Sequence, residues 1–132
     1  MTNEYDAFRR ILEIVSNAKE SVLIVDPYPS DSLLWLYFEG AHTGVDMKLL
    51  TTNIDNRTLA IARKFKKKNP RFEVRKSLKI HDRYIVVDNR GWLLGPSLKD
   101  AGKKLSAIVE LRDVATLTSA LYDIWDSSPP LV

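Results

Sequence analysis

The chain contains the stretch His81-Asp-Arg83-Tyr-Ile-Val-Val-Asp88, which is followed after six residues by Gly95-Pro-Ser97. This stretch puts an imidazole, a permanent cation and a carboxylate on one predicted strand and its approach, with a loop of small residues behind. Side chains alternate between the two faces of a strand, so His81 and Arg83 are predicted to point the same way and to reach one phosphate. These residue types at this spacing favour phosphodiester chemistry.

The remaining residues of the stretch have predicted supporting roles. Asp88 has the opposite parity to His81 and ends the strand, so we expect it to bend back through the turn 89–91 and to orient the imidazole by a hydrogen bond. Ser97 is predicted to donate its hydroxyl to a phosphate oxygen or to cap a following helical turn, and the two roles are compatible. Gly95 allows the backbone to approach a ligand closely.

The stretch resembles the signature of the phospholipase D superfamily, in which His-x-Lys-x(4)-Asp is followed by a Gly-Ser-x-Asn-like loop. Here Arg83 stands in place of the lysine, and residues 95–98 read Gly-Pro-Ser-Leu. The resemblance implies that His81, Arg83, Asp88 and Ser97 are the catalytic residues. It also implies a mechanism with two motifs and no metal or other cofactor: one histidine attacks phosphorus, and the other protonates the leaving oxygen and later activates water.

Because the chain carries one copy of the motif, we expect a homodimer that brings two His81 side chains together. The leading hypothesis is a phosphodiesterase that acts on nucleic acid. The altered lysine and loop favour an alternative, a catalytically degenerate module of a larger system that binds or senses phosphate, nucleic acid or phospholipid headgroups. Arg83 can still hold phosphate through its planar fork, so the sequence leaves activity open. A purely structural dimerisation domain is a third hypothesis, which leaves the site residues unexplained.

The distribution of charge indicates a polyanionic partner. The net charge is only +3, but residues 63–79 hold nine bases and one acid. Lys66, Lys67 and Lys68 are therefore predicted to bind the phosphates of a nucleic acid or another phosphodiester ligand. The alternative interpretation of this cluster is a solvated helix face.

Three further residues are predicted to contact the ligand. Lys99 and Lys103 lie on the loop after Gly95 and are candidate replacements for the missing lysine. Tyr28 follows the first predicted strand, and ligands of α/β folds commonly bind at such strand ends. His42 has no neighbours of this kind and is predicted to be a surface residue.

Hydrophobic periodicity predicts the secondary structure. Helices are expected over residues 4–18, 32–39, 54–65 and 114–125, and strands over residues 22–25, 45–49, 72–74, 84–87, 92–94 and 106–111. Helices that alternate with strands, followed by a hairpin, predict an α/β fold with a mixed sheet flanked by helices on both faces. This order is similar to that of one phospholipase D half-domain.

Size and composition limit the number of domains and the kinds of site that the chain can form. A chain of 132 residues that is 45% hydrophobic predicts one domain spanning residues 1–132. The absence of cysteine excludes disulfides and thiolate metal sites, and no His/Asp/Glu cluster predicts a metal. The acidic start does not resemble a secretory signal, and the apolar stretches are too short to cross a bilayer. We therefore expect a cytoplasmic protein, and the sequence leaves peripheral phospholipid contact open.

Overall fold

The structure is a computed structural model that describes residues 4–39, 41, 44–96 and 105–132. Within these residues, six strands form one sheet and four helices pack against it. All ten elements expected from the hydrophobic patterns are present. In chain order they are α1 (Glu4–Ser16), β1 (Ser21–Val25), α2 (Asp31–Glu39), β2 (Asp46–Thr51), α3 (Asn56–Lys68), β3 (Phe72–Lys76), β4 (Arg83–Val87), β5 (Arg90–Pro96), β6 (Leu105–Glu110) and α4 (Val114–Asp126).

The sheet is mixed, with the strand order β3-β2-β1-β4-β5-β6. The strands β1, β2 and β3 are parallel and are joined by helices, as crossover connections require. The strands β4, β5 and β6 are added antiparallel to their neighbours. The end of β1 therefore meets the start of β4, and Val25 pairs with Tyr84. This edge of the sheet is termed the Arg83 edge, and the opposite edge, where β4 ends, is termed the Asp88 edge.

Helices cover both faces of the sheet. Residues of α1, α2 and α3, such as Ile11, Leu34 and Phe65, pack on one face in the larger hydrophobic core. On the other face, Leu121 and Trp125 of α4 pack in a smaller core. The predicted fold class is therefore confirmed. None of the described helices is long and apolar enough to cross a membrane.

The turn between β4 and β5 is tighter than the four-residue connection that the sequence suggested. Val87 pairs with Arg90, so only Asp88 and Asn89 form the turn. Asp88 has a φ angle of 54°, in the left-handed region, which aspartate tolerates better than most residues other than glycine. The hydrogen bonds of the Asp88 carboxylate are described below.

Candidate functional site

The Arg83 edge holds a buried ion pair. Arg83 begins β4, and the pairing of Val25 with Tyr84 brings it beside Asp26, the first residue after β1. Its Nε donates a hydrogen bond of 3.0 Å to Asp26 Oδ1. The Asp26 side chain is fully buried, whereas 19% of the Arg83 side chain is exposed. The predicted phosphate-binding cation therefore already has a carboxylate as its counter charge.

Three donors hold the carboxylate of Asp26 in place. Besides Arg83, the backbone N–H of Tyr28 donates to Oδ1 at 3.1 Å, and the hydroxyl of Tyr37 donates to Oδ2 at 2.8 Å. A buried carboxylate needs such compensation because it has lost its hydration. A fixed Asp26 in turn fixes the guanidinium of Arg83. The two terminal nitrogens of Arg83 make no hydrogen bond to the described residues, so they remain donors for a ligand.

Tyr37 is a site residue that the sequence analysis missed. It lies on α2 and is completely buried. Burial raises the pKa of Tyr37 well above its usual value, and the neighbouring charge of Asp26 raises it further. The hydroxyl therefore stays protonated and donates to Asp26. Its place in an almost wholly apolar helix indicates a core residue, and no local pattern links it to Asp26.

His81 is exposed at the Arg83 edge and lies two residues before Arg83. Its imidazole makes no hydrogen bond to any residue that the structure describes. The adjacent carboxylate, Asp82, is hydrogen-bonded to Tyr84 instead. Burial raises the pKa of Tyr84, and the negative charge and hydrogen bond of Asp82 raise it further. Within the described residues, no carboxylate orients His81.

Asp88 lies at the other end of β4, which separates it from His81 by about 17 Å of extended chain. Its carboxylate accepts hydrogen bonds from the backbone N–H groups of Lys19, Glu20 and Ser21 at 3.0, 2.8 and 3.1 Å. Burial alone would raise the pKa of Asp88, but these bonds together lower it. The expectation that Asp88 orients the imidazole is therefore corrected, because Asp88 fixes the chain that leads into β1.

Gly95 lies near the end of β5, at the Arg83 edge. A Cβ atom at this position would have Ala107 Cβ as its nearest neighbour, at an ordinary contact distance of 3.8 Å. Packing against the described residues therefore does not require glycine here. Ser97, Lys99 and Lys103 lie outside the described residues, so their predicted roles stay predictions.

The predicted cationic cluster on α3 lies at the Asp88 edge. The helix runs from the end of β2 to the start of β3, so its 13 residues carry the chain about 20 Å away from the Arg83 edge. Lys66 Nζ donates hydrogen bonds to the carbonyl oxygens of Pro70 and Phe72 at 3.0 and 2.7 Å, and these bonds connect the end of α3 to the chain that follows it. Lys67 and Lys68 are exposed. The structure thus does not bring these lysines to His81.

Other cations do lie at the Arg83 edge. Lys76 ends β3, and Lys79 lies on the connection from β3 to β4; both are exposed, and neither pairs with a carboxylate among the described residues. Arg57 is also there, but its Nε lies 2.7 Å from Asp31 Oδ2. Both lysines belong to the basic stretch 63–79, but the sequence did not single them out, since their position at this edge depends on the strand order.

A separate cavity of about 630 Å³ lies at the Asp88 edge, between α1 and the β4–β5 turn. Its lining includes Arg10, Asn17, Arg90 and Trp92. His81 lies at the opposite edge of the sheet, so this cavity is not part of the candidate site. The described residues contain no group of His, Asp or Glu side chains that could hold a metal ion.

The fold is similar to that of two solved bacterial proteins. Nuc from Salmonella typhimurium, a phospholipase D family member, has a TM-score of 0.69 at 17% identity, over 93% of this chain and 89% of that one. NucT from Helicobacter pylori has a TM-score of 0.72 at 17% identity, over 97% of this chain and 92% of that one. The chain has a phospholipase D-like fold. The resemblance expected from the sequence is confirmed at the level of the fold.

A DNA-binding protein shares this fold. TrmBL2, an archaeal chromatin protein with a novel mode of DNA binding, has a TM-score of 0.70 at 15% identity over 99% of this chain. The match covers 52% of TrmBL2, so this phospholipase D-like chain spans about half of its length. Neither a protein-family model nor a curated protein matches the sequence.

Proposed function

We propose that this phospholipase D-like domain binds the phosphate backbone of nucleic acid at the Arg83 edge without cleaving it. The buried ion pair between Arg83 and Asp26 is the observation that carries this proposal. Cleavage by imidazole needs a cation whose charge stabilises the developing phosphorane, and a counter charge held 3.0 Å away offsets that field. The unoriented imidazole of His81 points to the same conclusion.

Binding of a phosphate requires less of these residues than cleavage does. The terminal nitrogens of Arg83 can donate two parallel hydrogen bonds to a phosphate, and Asp26 fixes the guanidinium before a ligand arrives. His81 supplies further donor capacity, and Lys76 and Lys79, which pair with no carboxylate among the described residues, add positive charge along the edge. The similar fold of TrmBL2, a protein with a novel mode of DNA binding, supports nucleic acid as the source of the phosphate.

The test compares two double substitutions that remove equal charge from opposite edges. We expect Lys76→Ala with Lys79→Ala to weaken oligonucleotide binding and to reduce the steepness of log affinity against log salt by about 1.4 for a single strand or about 1.8 for a duplex, since each lost phosphate contact changes the slope by about 0.7 or about 0.9. Lys67→Ala with Lys68→Ala, at the Asp88 edge, is the matched control and should change both quantities little. Fluorescence anisotropy across a salt series measures both. A larger effect of the α3 pair would overturn the assignment of the site to the Arg83 edge.

The second candidate is a phosphodiesterase completed by a homodimer, and the observation that favours it is the exposure of His81, which leaves its side chain accessible to a second copy of the chain. A second copy across a two-fold axis would bring its own His81 to the same phosphate. One imidazole would form a P–N bond while the P–O bond to the leaving group breaks, and the other would supply the proton to that oxygen. Water would then hydrolyse the phosphohistidine.

Activity and assembly measurements separate the two candidates. The binding proposal predicts no cleavage of DNA, RNA or model diesters, in EDTA or with added divalent ions, by either the wild type or Arg83→Lys. The phosphodiesterase predicts cleavage in EDTA that His81→Ala abolishes, together with a dimer in light scattering. Cleavage that depends on His81 would therefore replace the first candidate by the second.

A further inference from the structure

We propose that the ligand of the Arg83 edge is a single-stranded nucleic acid, and that Tyr28 stacks on a base next to the phosphate held by Arg83. This inference rests on the proposed function and names its substrate class. Tyr28 is 62% exposed, although it lies directly beside the buried Asp26. Its ring belongs to neither hydrophobic core and to no aromatic pair among the described residues. Packing against the part of the chain that the structure describes therefore does not account for a large aromatic side chain at this position.

The backbone presents Tyr28 on a rigid support. It lies between Pro27 and Pro29, both of which are buried while the tyrosine is exposed. The carbonyl oxygen of Pro27 accepts hydrogen bonds from the backbone N–H groups of Thr52 and Asn53 at 3.2 and 2.9 Å. Each proline fixes its own φ angle, and Pro29 also restricts the backbone of the tyrosine before it. The backbone that carries the exposed ring is already ordered, so it loses little conformational entropy when a ligand binds.

The same oxygen atom links Tyr28 to the phosphate-binding cation. Oδ1 of Asp26 accepts from the Tyr28 backbone N–H at 3.1 Å and from Arg83 Nε at 3.0 Å, so these two nitrogens lie within about 6 Å of each other. A phosphate on the terminal nitrogens of Arg83 would thus lie close to the tyrosine. The Tyr28 ring is attached to this backbone, so we expect it to be within reach of a nucleotide whose phosphate is bound by Arg83.

Stacking on Tyr28 requires a base with a free face. In a duplex, neighbouring base pairs cover both faces of each base, whereas single strands offer unstacked bases to aromatic side chains. Such a contact tolerates any base because every base has a π face. The predicted specificity is therefore for single strands over duplexes, without a strong preference for sequence.

Anisotropy with a labelled oligonucleotide tests the inference through a double-mutant cycle. We expect Tyr28→Ala to weaken binding of the single strand by between about 5-fold and about 150-fold, and Tyr28→Phe to change it by less than about 2-fold. An abasic oligonucleotide of equal length and charge should bind the wild type as weakly as the intact strand binds Tyr28→Ala. Tyr28→Ala should not discriminate between the intact and abasic strands.

The controls distinguish failure of the inference from failure of the proposed function. Affinity for a duplex should be the same for the wild type and Tyr28→Ala, and urea unfolding should show equal stability because the side chain is exposed. Equal losses on single strand and duplex, or no loss on either, would overturn the stacking role while the nucleic-acid site stands. A wild type that binds no oligonucleotide, even at low salt, would overturn the proposed function itself. Binding to anionic phospholipid vesicles in that case would replace nucleic acid by lipid.

Discussion

Asp26→Asn is expected to weaken the fold and to tighten nucleic-acid binding at the same time. Asp26 is completely buried and carries the counter charge of Arg83. Removing one partner of a fully buried ion pair costs about 3–5 kcal/mol. Asparagine keeps one acceptor oxygen and Arg83 reaches solvent, so we expect the free energy of unfolding to fall by about 2 kcal/mol.

The gain in binding follows from removing a negative charge beside the bound phosphate. Two unit charges about 6 Å apart repel each other by about 3 kcal/mol at an effective dielectric constant of 20, and by about 0.7 kcal/mol in water. The site borders solvent, so the relief should be about 1 kcal/mol, which corresponds to about fivefold tighter binding. Stability and affinity are thus expected to change in opposite directions.

Urea unfolding followed by tryptophan fluorescence gives the stability, and anisotropy with a labelled single strand gives the affinity. Asp46→Asn is the matched control, because Asp46 pairs with Arg71 at 2.6 Å but lies at the start of β2, at the Asp88 edge. It should change affinity little. If Asp26→Asn is folded and binds no more tightly than the wild type, Arg83 does not hold the phosphate and the reasoning fails.

Three further substitutions, the last of them with a matched control, test local interactions. Because hydrogen bonds lower the pKa of Asp88 below its unfolded value of 3.8, the stability it contributes is present above about pH 4 and is lost as pH falls further. Asp88→Asn should therefore lower the free energy of unfolding at pH 7 by about 1 kcal/mol. The free energy of unfolding of this variant should also fall less steeply below about pH 4 than that of the wild type, and urea titrations at several pH values measure both effects. Burial raises the pKa of Tyr37 above 10.0, so the stability that the protonated Tyr37 contributes is lost as the pH rises beyond 10.0. Tyr37→Phe should therefore make the fall of the thermal unfolding temperature with rising alkaline pH less steep. Lys66→Met should cost about 1 kcal/mol in urea because it removes the bonds to Pro70 and Phe72, whereas Lys67→Met should change stability by less than about 0.5 kcal/mol.

The sequence by itself determined the elements and the fold class, because both follow from periodicity along the chain. Buried strands such as β1 appear as short apolar runs, and α1 as apolar residues at helical spacing, so neither depends on distant residues. The motif from His81 to Asp88 also lies within one strand and its approach. Its spacing was therefore sufficient to indicate the phospholipase D-like fold.

The tertiary structure alone decided which side chains meet. Asp26 and Arg83 are 57 positions apart and meet because β4 pairs antiparallel with β1. The direction of α3 between β2 and β3 likewise sends Lys66 and its neighbours to the edge opposite His81. Asp88 belongs to the motif but binds the chain before β1, because a strand of five residues separates it from His81. Periodicity specifies the face on which a residue lies, but strand order and direction, which depend on contacts between distant segments, set the edge at which it lies.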